Sequence, residues 1–217
     1  MEHKIIDTED VVVRFAGDSG DGMQLTGTLF ADASALEGNE ISTFPDYPAE
    51  IRAPKDTVSG VSGFQVHIGS CEINTPGDYC DVLVAMNPAA LRANAKWAKP
   101  TATIIIDTDT FTPESIARSG YKTADPVAEL GIGERILIPS PITALTKESL
   151  KDSGLDPKSI AKCRNMFCLG MCFFLFNKPL DHTYKYLEKK FIKKPEMIDT
   201  NKKVLFDGFN YANNIHA

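Results

Sequence analysis

The sequence predicts an α/β protein: a three-layer α/β/α sandwich on a mostly parallel, mixed sheet, followed by a helical tail. Three observations carry this. Short apolar, β-branched runs at Val11–Phe15, Asp81–Met86 and Thr103–Ile106 are each followed by a helical pattern, as expected for repeated β-α-β units. The first run ends in Gly17-Asp18-Ser19-Gly20-Asp21-Gly22 directly before a helix. From Pro157 onward only helical periodicities remain. A core of residues 1–156, Rossmann-like in layout, and a helical extension of residues 157–217 are therefore expected.

With 217 residues, 43% hydrophobic and 24% charged, the chain has the balance of an ordinary globular protein. A net charge of −6 argues against nucleic acid or an anionic membrane as main partner. The longest apolar run, Met166–Phe176, is well short of the ~20 residues a spanning helix needs. Met1-Glu2-His3-Lys4 lacks the apolar stretch of a secretory leader. Five irregularly spaced cysteines do not make a disulfide framework. A reduced, cytoplasmic protein is expected.

In chain order, the glycines at 17, 20 and 22 permit positive φ and close backbone approach. The helix starting at Met23 offers N–H groups without intrahelical partners, so the turn has the make-up of an anion site. Its GxxGxG spacing differs from the dinucleotide fingerprint GxGxxG, and no Lys-Ser/Thr follows as in a P-loop. Ligand binding and a merely tight turn both remain open. Asp18 and Asp21 would repel an anion unless turned away or neutralised. Leu25, Leu29, Ala33 and Leu36 mark the buried helix face, and Gly27 and Ala31 allow close approach to the sheet. Gly38-Asn39 ends the helix. Glu40–Phe44 reads as a second strand, reached by a right-handed crossover.

Pro45–Pro54 contains three prolines and reads as an irregular loop. It leaves the carboxyl end of a strand, the edge where open α/β sheets bind ligands. Glu50 and Arg52 are thus either site residues or a solvated mutual ion pair. Val58–Ile68 alternates imperfectly, as an antiparallel or near-edge strand would; Cys71 and Cys80 flank a turn at Asn74–Asp78, and a hairpin pairing Val66–Ile68 with Glu72–Asn74 fits. His67 reads as a polar-face residue. Pro88–Lys96 is a short helix, Thr112-Pro113-Glu114-Ser115 opens another, Arg135–Ile138 is a strand and Pro141–Leu150 is helical. Ala161–Phe176 is apolar nearly all round and so buried, with Cys163, Cys168 and Cys172 as small hydrophobes. Tyr184–Lys193 and Glu196–Tyr211 are amphipathic helices.

A self-sufficient catalytic set is missing. The four histidines (3, 67, 182, 216) are scattered, and neither a nucleophile elbow nor a zinc motif occurs. No CxxC pair accompanies the cysteines of the apolar helix. A ligand edge without a reactive cluster points to a binding or covering domain of a larger assembly. A free-standing nucleotide- or flavin-binding protein would want an acidic residue ending the second strand, which is absent here.

Three long stretches, read together, resemble one family. They are Arg14–Gly27 (RFAGDSGDGMQLTG), Ser42–Pro54 (STFPDYPAEIRAP) and Gly60–His67 (GVSGFQVH). They are similar to the gamma domain (domain III) of 2-oxoacid:ferredoxin oxidoreductases, particularly the 2-oxoglutarate type. Asp81–Leu91 and the tail from Leu145 to Tyr211 share the likeness. In that type the gamma domain is usually fused in front of the alpha domain, so a separate subunit or a piece of a fused one is expected. The resemblance implies a holoenzyme that decarboxylates a 2-oxoacid oxidatively with coenzyme A and reduces ferredoxin. It implies alpha (pyrimidine-binding) and beta (thiamine diphosphate/Mg²⁺) partners, a possible ferredoxin-like delta subunit, and [4Fe-4S] clusters outside this chain. It further implies that this domain covers the active site and helps bind coenzyme A. Gly17, Ser19, Gly20 and Gly22 are then the coenzyme-facing loop, with Arg52 pairing a phosphate or carboxylate and Glu50 orienting it. A purely structural assembly role is the competing expectation.

Overall fold

The computed structural model describes residues 7–47 and 60–217. Six strands form one sheet: β1 (Asp10–Asp18), β2 (Glu40–Asp46), β3 (Val61–Gly69), β4 (Cys80–Ala85), β5 (Ala98–Asp107) and β6 (Ile136–Ser140). Their order is β2-β3-β1-β4-β5-β6. β1, β4, β5 and β6 pair in parallel, whereas β3 runs antiparallel to both β1 and β2. β1 and β2 are thus parallel but not adjacent, because β3 inserts between them. The expected hairpin is corrected: Glu72–Asn74 form no strand, and the alternating residues of β3 pair with β1 instead. Zipping β3 between two strands satisfies both of its backbone edges, which a short hairpin at the rim would not.

Helix α1 (Met23–Leu36) follows β1, α2 (Pro88–Asn94) follows β4, and α3 (Pro113–Arg118) and α4 (Pro126–Glu129) lie between β5 and β6. After β6 come only helices: α5 (Ile142–Ser149), α6 (Pro157–Ala161), α7 (Arg164–Leu175), α8 (Asp181–Lys190) and α9 (Pro195–Asn214). The expected Pro141–Leu150 helix forms as α5, with Pro141 and Leu150 as its caps.

Side-chain alternation along the strands separates two cores. Val13, Phe15, Val82, Val84 and Ile105 face α1, α7 and α9, meeting Phe30, Phe167 and Phe173. Val12, Ala16, Leu83, Ala85, Ile104 and Ile106 face the α2 side, meeting Ala90, Leu91 and Ile132. The first core is aromatic: Phe30 lies edge-on to Phe15, ring centroids 5.6 Å apart, and to Phe176 at 5.2 Å. Each such ring stabilises by roughly 1.5–3 kcal/mol when fully buried. The α7 cysteines are buried and free, and burial pushes the Cys163 thiol up to about 11. No group of three or more metal-ligating side chains occurs among the described residues.

Glycine sets two close approaches. A Cβ on Gly27 would meet the Phe64 ring at 2.1 Å, so α1 lies directly on β3. Where α7 crosses α9, a Cβ on Gly170 would lie 2.0 Å from the Leu205 carbonyl oxygen, and one on Gly208 2.1 Å from that of Phe167.

Candidate functional site

The glycine turn stands at the carboxyl end of β1, beside the carboxyl ends of β4 and β5. Gly20 (φ 109°) and Gly22 (φ 77°) take the left-handed region, which explains glycine there. Gly17 has another reason. It is buried, and a Cβ would come 2.9 Å from Asp21 Oδ2. Ser19 and Gly20 are exposed at the tip. Gly22 caps α1 without a side-chain hydrogen bond, so the first turn of α1 has no capping side chain. That turn is anchored sideways: Gln24 Nε2 donates to Gly63 O at 2.7 Å and to Ser62 Oγ at 3.2 Å.

The two loop aspartates, unexplained by sequence, have partners. Asp21 folds back so that Oδ2 accepts the Asp18 N–H at 2.9 Å, while Oδ1 accepts from Arg164 Nη2 at 2.8 Å. Asp18 Oδ1 accepts from Asn87 Nδ2 at 2.9 Å, and Asn87 also N-caps α2 through the Ala90 N–H. Behind them Asp107, at the end of β5, is fully buried. It accepts from Thr143 Oγ1 at 2.5 Å and from Thr143 N at 3.2 Å, and lies 3.9 Å from Arg164 Nη1. Burial pushes the Asp21 and Asp107 carboxyls above their ordinary range, against the pull of Arg164 and, for Asp107, the stronger pull of the Thr143 hydrogen bonds.

Arg164, Thr143, Asn87 and Asp107 were not singled out from sequence as site residues. The one available signal for Arg164 was a lone charge opening an otherwise apolar helix. Pro45 and Asp46, read as loop, end strand β2 instead, so the second strand does end in an acidic residue, contrary to the expectation. β2 is an edge strand, where a proline without an N–H is tolerated. Asp46 is held there by the buried Arg14, whose Nη2 donates to Asp46 Oδ2 at 2.6 Å, Nε to Asn94 Oδ1 at 2.6 Å and Nη1 to Gln65 Oε1 at 3.1 Å. Glu50 and Arg52 lie outside the described residues. Their flanks are informative: Asp46 pairs with Gly63 and Asp18 with Val61 on β3. The described strands β2, ending at Asp46, and β3, starting at Val61, stop at the edge where the glycine turn sits. His67, half-buried, bridges Asp10 Oδ2 at 2.8 Å and Thr75 O at 2.7 Å, as a polar-face residue does.

The class this defines is an α/β domain with a hydrogen-bonded glycine turn at the carboxyl edge of its parallel strands and no catalytic cluster of its own among the described residues. The chain belongs to the pyruvate ferredoxin/flavodoxin oxidoreductase family, whose model matches residues 12–211. It is 42% identical over 209 residues to the 2-oxoglutarate oxidoreductase subunit KorA of Mycobacterium tuberculosis, covering 96% of this chain and 32% of that relative. It is 28% identical over 154 residues to the ketoisovalerate oxidoreductase subunit VorA of Methanothermobacter marburgensis, covering 66% of this chain and 31% of VorA. The chain thus spans about a third of the length of the curated relatives it matches.

Among solved structures it is similar to 2-oxoglutarate:ferredoxin oxidoreductase from Magnetococcus marinus with 2-oxoglutarate, coenzyme A and succinyl-CoA bound. There the TM-score is 0.72 and the identity 26%, over 96% of this chain and 32% of that one. The gamma subunit of a keto/oxoacid ferredoxin oxidoreductase from Geobacter sulfurreducens matches at TM-score 0.65 and 20% identity, over 94% of this chain and 99% of that one, which establishes a shared fold. No helix among the described residues is long and apolar enough to cross a membrane.

Proposed function

We propose that this chain is the gamma domain or subunit of a 2-oxoglutarate:ferredoxin oxidoreductase. The complex converts 2-oxoglutarate and coenzyme A to succinyl-CoA and CO2, or runs the reverse, with ferredoxin carrying the electrons. The observation that carries this reading is the 42% identity to KorA across 96% of the chain. Thiamine diphosphate, Mg²⁺ and [4Fe-4S] clusters belong, on this reading, to alpha, beta and ferredoxin-like delta partners. This chain covers the site and receives coenzyme A.

Ser19, Gly20 and Gly22 present backbone N–H groups at the start of α1, where a diphosphate is favoured. Gly17 serves from beneath by admitting the Asp21 side chain. Asp21 is compensated by Arg164, which reduces the repulsion that this loop carboxylate would otherwise exert on an anion. Arg52 pairs with a phosphate or carboxylate and Glu50 orients it.

The test is a coenzyme A titration of the complex purified with its partner subunits. Gly20→Val and Arg52→Ala are each expected to raise the KM for coenzyme A while leaving assembly intact. A second reading, a purely structural assembly domain, is favoured by one observation: the loop's carboxylates are already held by Arg164 and Asn87. Loss of assembly with normal kinetics in whatever complex remains would establish that reading.

A further inference from the structure

We propose that Arg164 is a positioning residue for the glycine turn, clamping it from the first turn of α7. From within, the turn is closed by the Asp21 N–H donating to Asp18 O at 3.0 Å and by the Asp21 carboxylate on the Asp18 N–H. Two of its glycines take positive φ, and its helix has no side-chain N-cap. Such a segment has much conformational freedom to lose before its N–H groups point in one direction.

The guanidinium removes that freedom from outside. Nη2 donates to Asp21 Oδ1 at 2.8 Å, and the other oxygen of the same carboxylate accepts the Asp18 N–H at 2.9 Å. One carboxylate therefore ties the turn both to itself and to α7. Arg164 is fixed in its turn: Nε donates to Ala161 O at 3.1 Å and Nη1 to Thr143 Oγ1 at 3.2 Å. Thr143 is held by the fully buried Asp107, which also faces Nη1 at 3.9 Å. The charged groups meeting here are Asp18, Asp21, Asp107 and Arg164, with Asp109 joined to α5 through the Ala144 N–H.

The neighbouring Asn165 makes an independent contact with the turn. It lies so close beneath Gly22 that a Cβ there would come 2.5 Å from Asn165 Nδ2. Residues 143 apart in sequence thus meet at the turn. A lysine would reach Asp21 with one point charge but could not fork between Asp21 and Thr143.

The consequence for turnover rests on the reading that the turn receives coenzyme A. The assembled complex carrying Arg164→Met is expected to show faster amide hydrogen exchange at residues 19–25. Its KM for coenzyme A should rise about tenfold, with kcat and the KM for the oxoacid little changed, because misplacement of a binding group is felt in binding first. Arg164→Lys should restore part of both effects. If Arg164→Met prevents assembly, Asp21→Asn, which keeps the shape and removes the charge, should still speed exchange of the turn. Unchanged exchange at residues 19–25 in the assembled variant overturns the clamp, whatever the kinetics. Faster exchange with an unchanged KM for coenzyme A upholds the clamp and refutes the coenzyme A reading.

Discussion

The molecule uses glycine in two regions for opposite reasons. In the turn, Gly20 and Gly22 are needed for backbone torsion: both have positive φ, and a Cβ on Gly20 would meet nothing within 4 Å. At the α7–α9 crossing, Gly170 and Gly208 are ordinary helical residues, and the need is for space: a Cβ on either would come about 2 Å from a backbone carbonyl oxygen of the other helix. Torsional strain is local and bounded. A backbone clash between two helices that bury Phe167, Phe173, Val204 and Leu205 must move a whole layer.

That contrast can be broken by substitution. Gly208→Ala should cost the most, about 3 kcal/mol or more, since overpacking against backbone has no side-chain relief. Gly170→Ala should cost about the same, and the pair should be strongly non-additive because both open the same crossing. Urea unfolding of the variants reads this, and a loss under about 1 kcal/mol would show that the helices slide apart freely. Gly22→Ala comes next, at about 2–3 kcal/mol, combining positive φ with contact on Asn165. Its cost should fall in an Asn165→Ala background, which separates the two causes by a double-mutant cycle. Gly20→Ala should cost only about 1–2 kcal/mol, all of it torsional. A larger loss in the same unfolding experiment would mean that something covers the turn.

The smallest expected effect is a pH dependence. Burial raises the Asp107 carboxyl above its ordinary 3.8, so the folded chain holds that proton more tightly than the unfolded chain. Its contribution is present below 3.8 and is lost as pH rises through the folded value. Wild-type stability minus that of Asp107→Asn should therefore decline across that window and level off above it. A difference that grows with pH would show that Thr143 and Arg164 outweigh burial.

Much of the turn's geometry was legible in sequence, and none of the crossing's. A β-branched run, glycines at set offsets and a helical period are local signals, so β1, the turn and α1 were readable from residues 11–36 alone. The torsional glycines announced themselves by clustering. Gly170 sat in an apolar helix with no mark that another backbone would lie against it, and Gly208 did the same in an amphipathic one. Likewise the alternation at residues 61–68 showed a strand but not its neighbours, because side-chain period is the same whichever strands pair with it.

The sequence by itself determined the α/β class, the helical end of the chain, the burial of the α7 cysteines and the family to which the motifs point. Tertiary structure alone decided that β3 separates β1 from β2, that Asp46 is held by Arg14, and that the aspartates of the glycine turn answer to Arg164 and Asn87. The reason is range. Torsional preference and hydrophobic period act over a few residues, whereas a buried charge takes whatever partner the packed layers bring within about 3 Å, however distant in sequence.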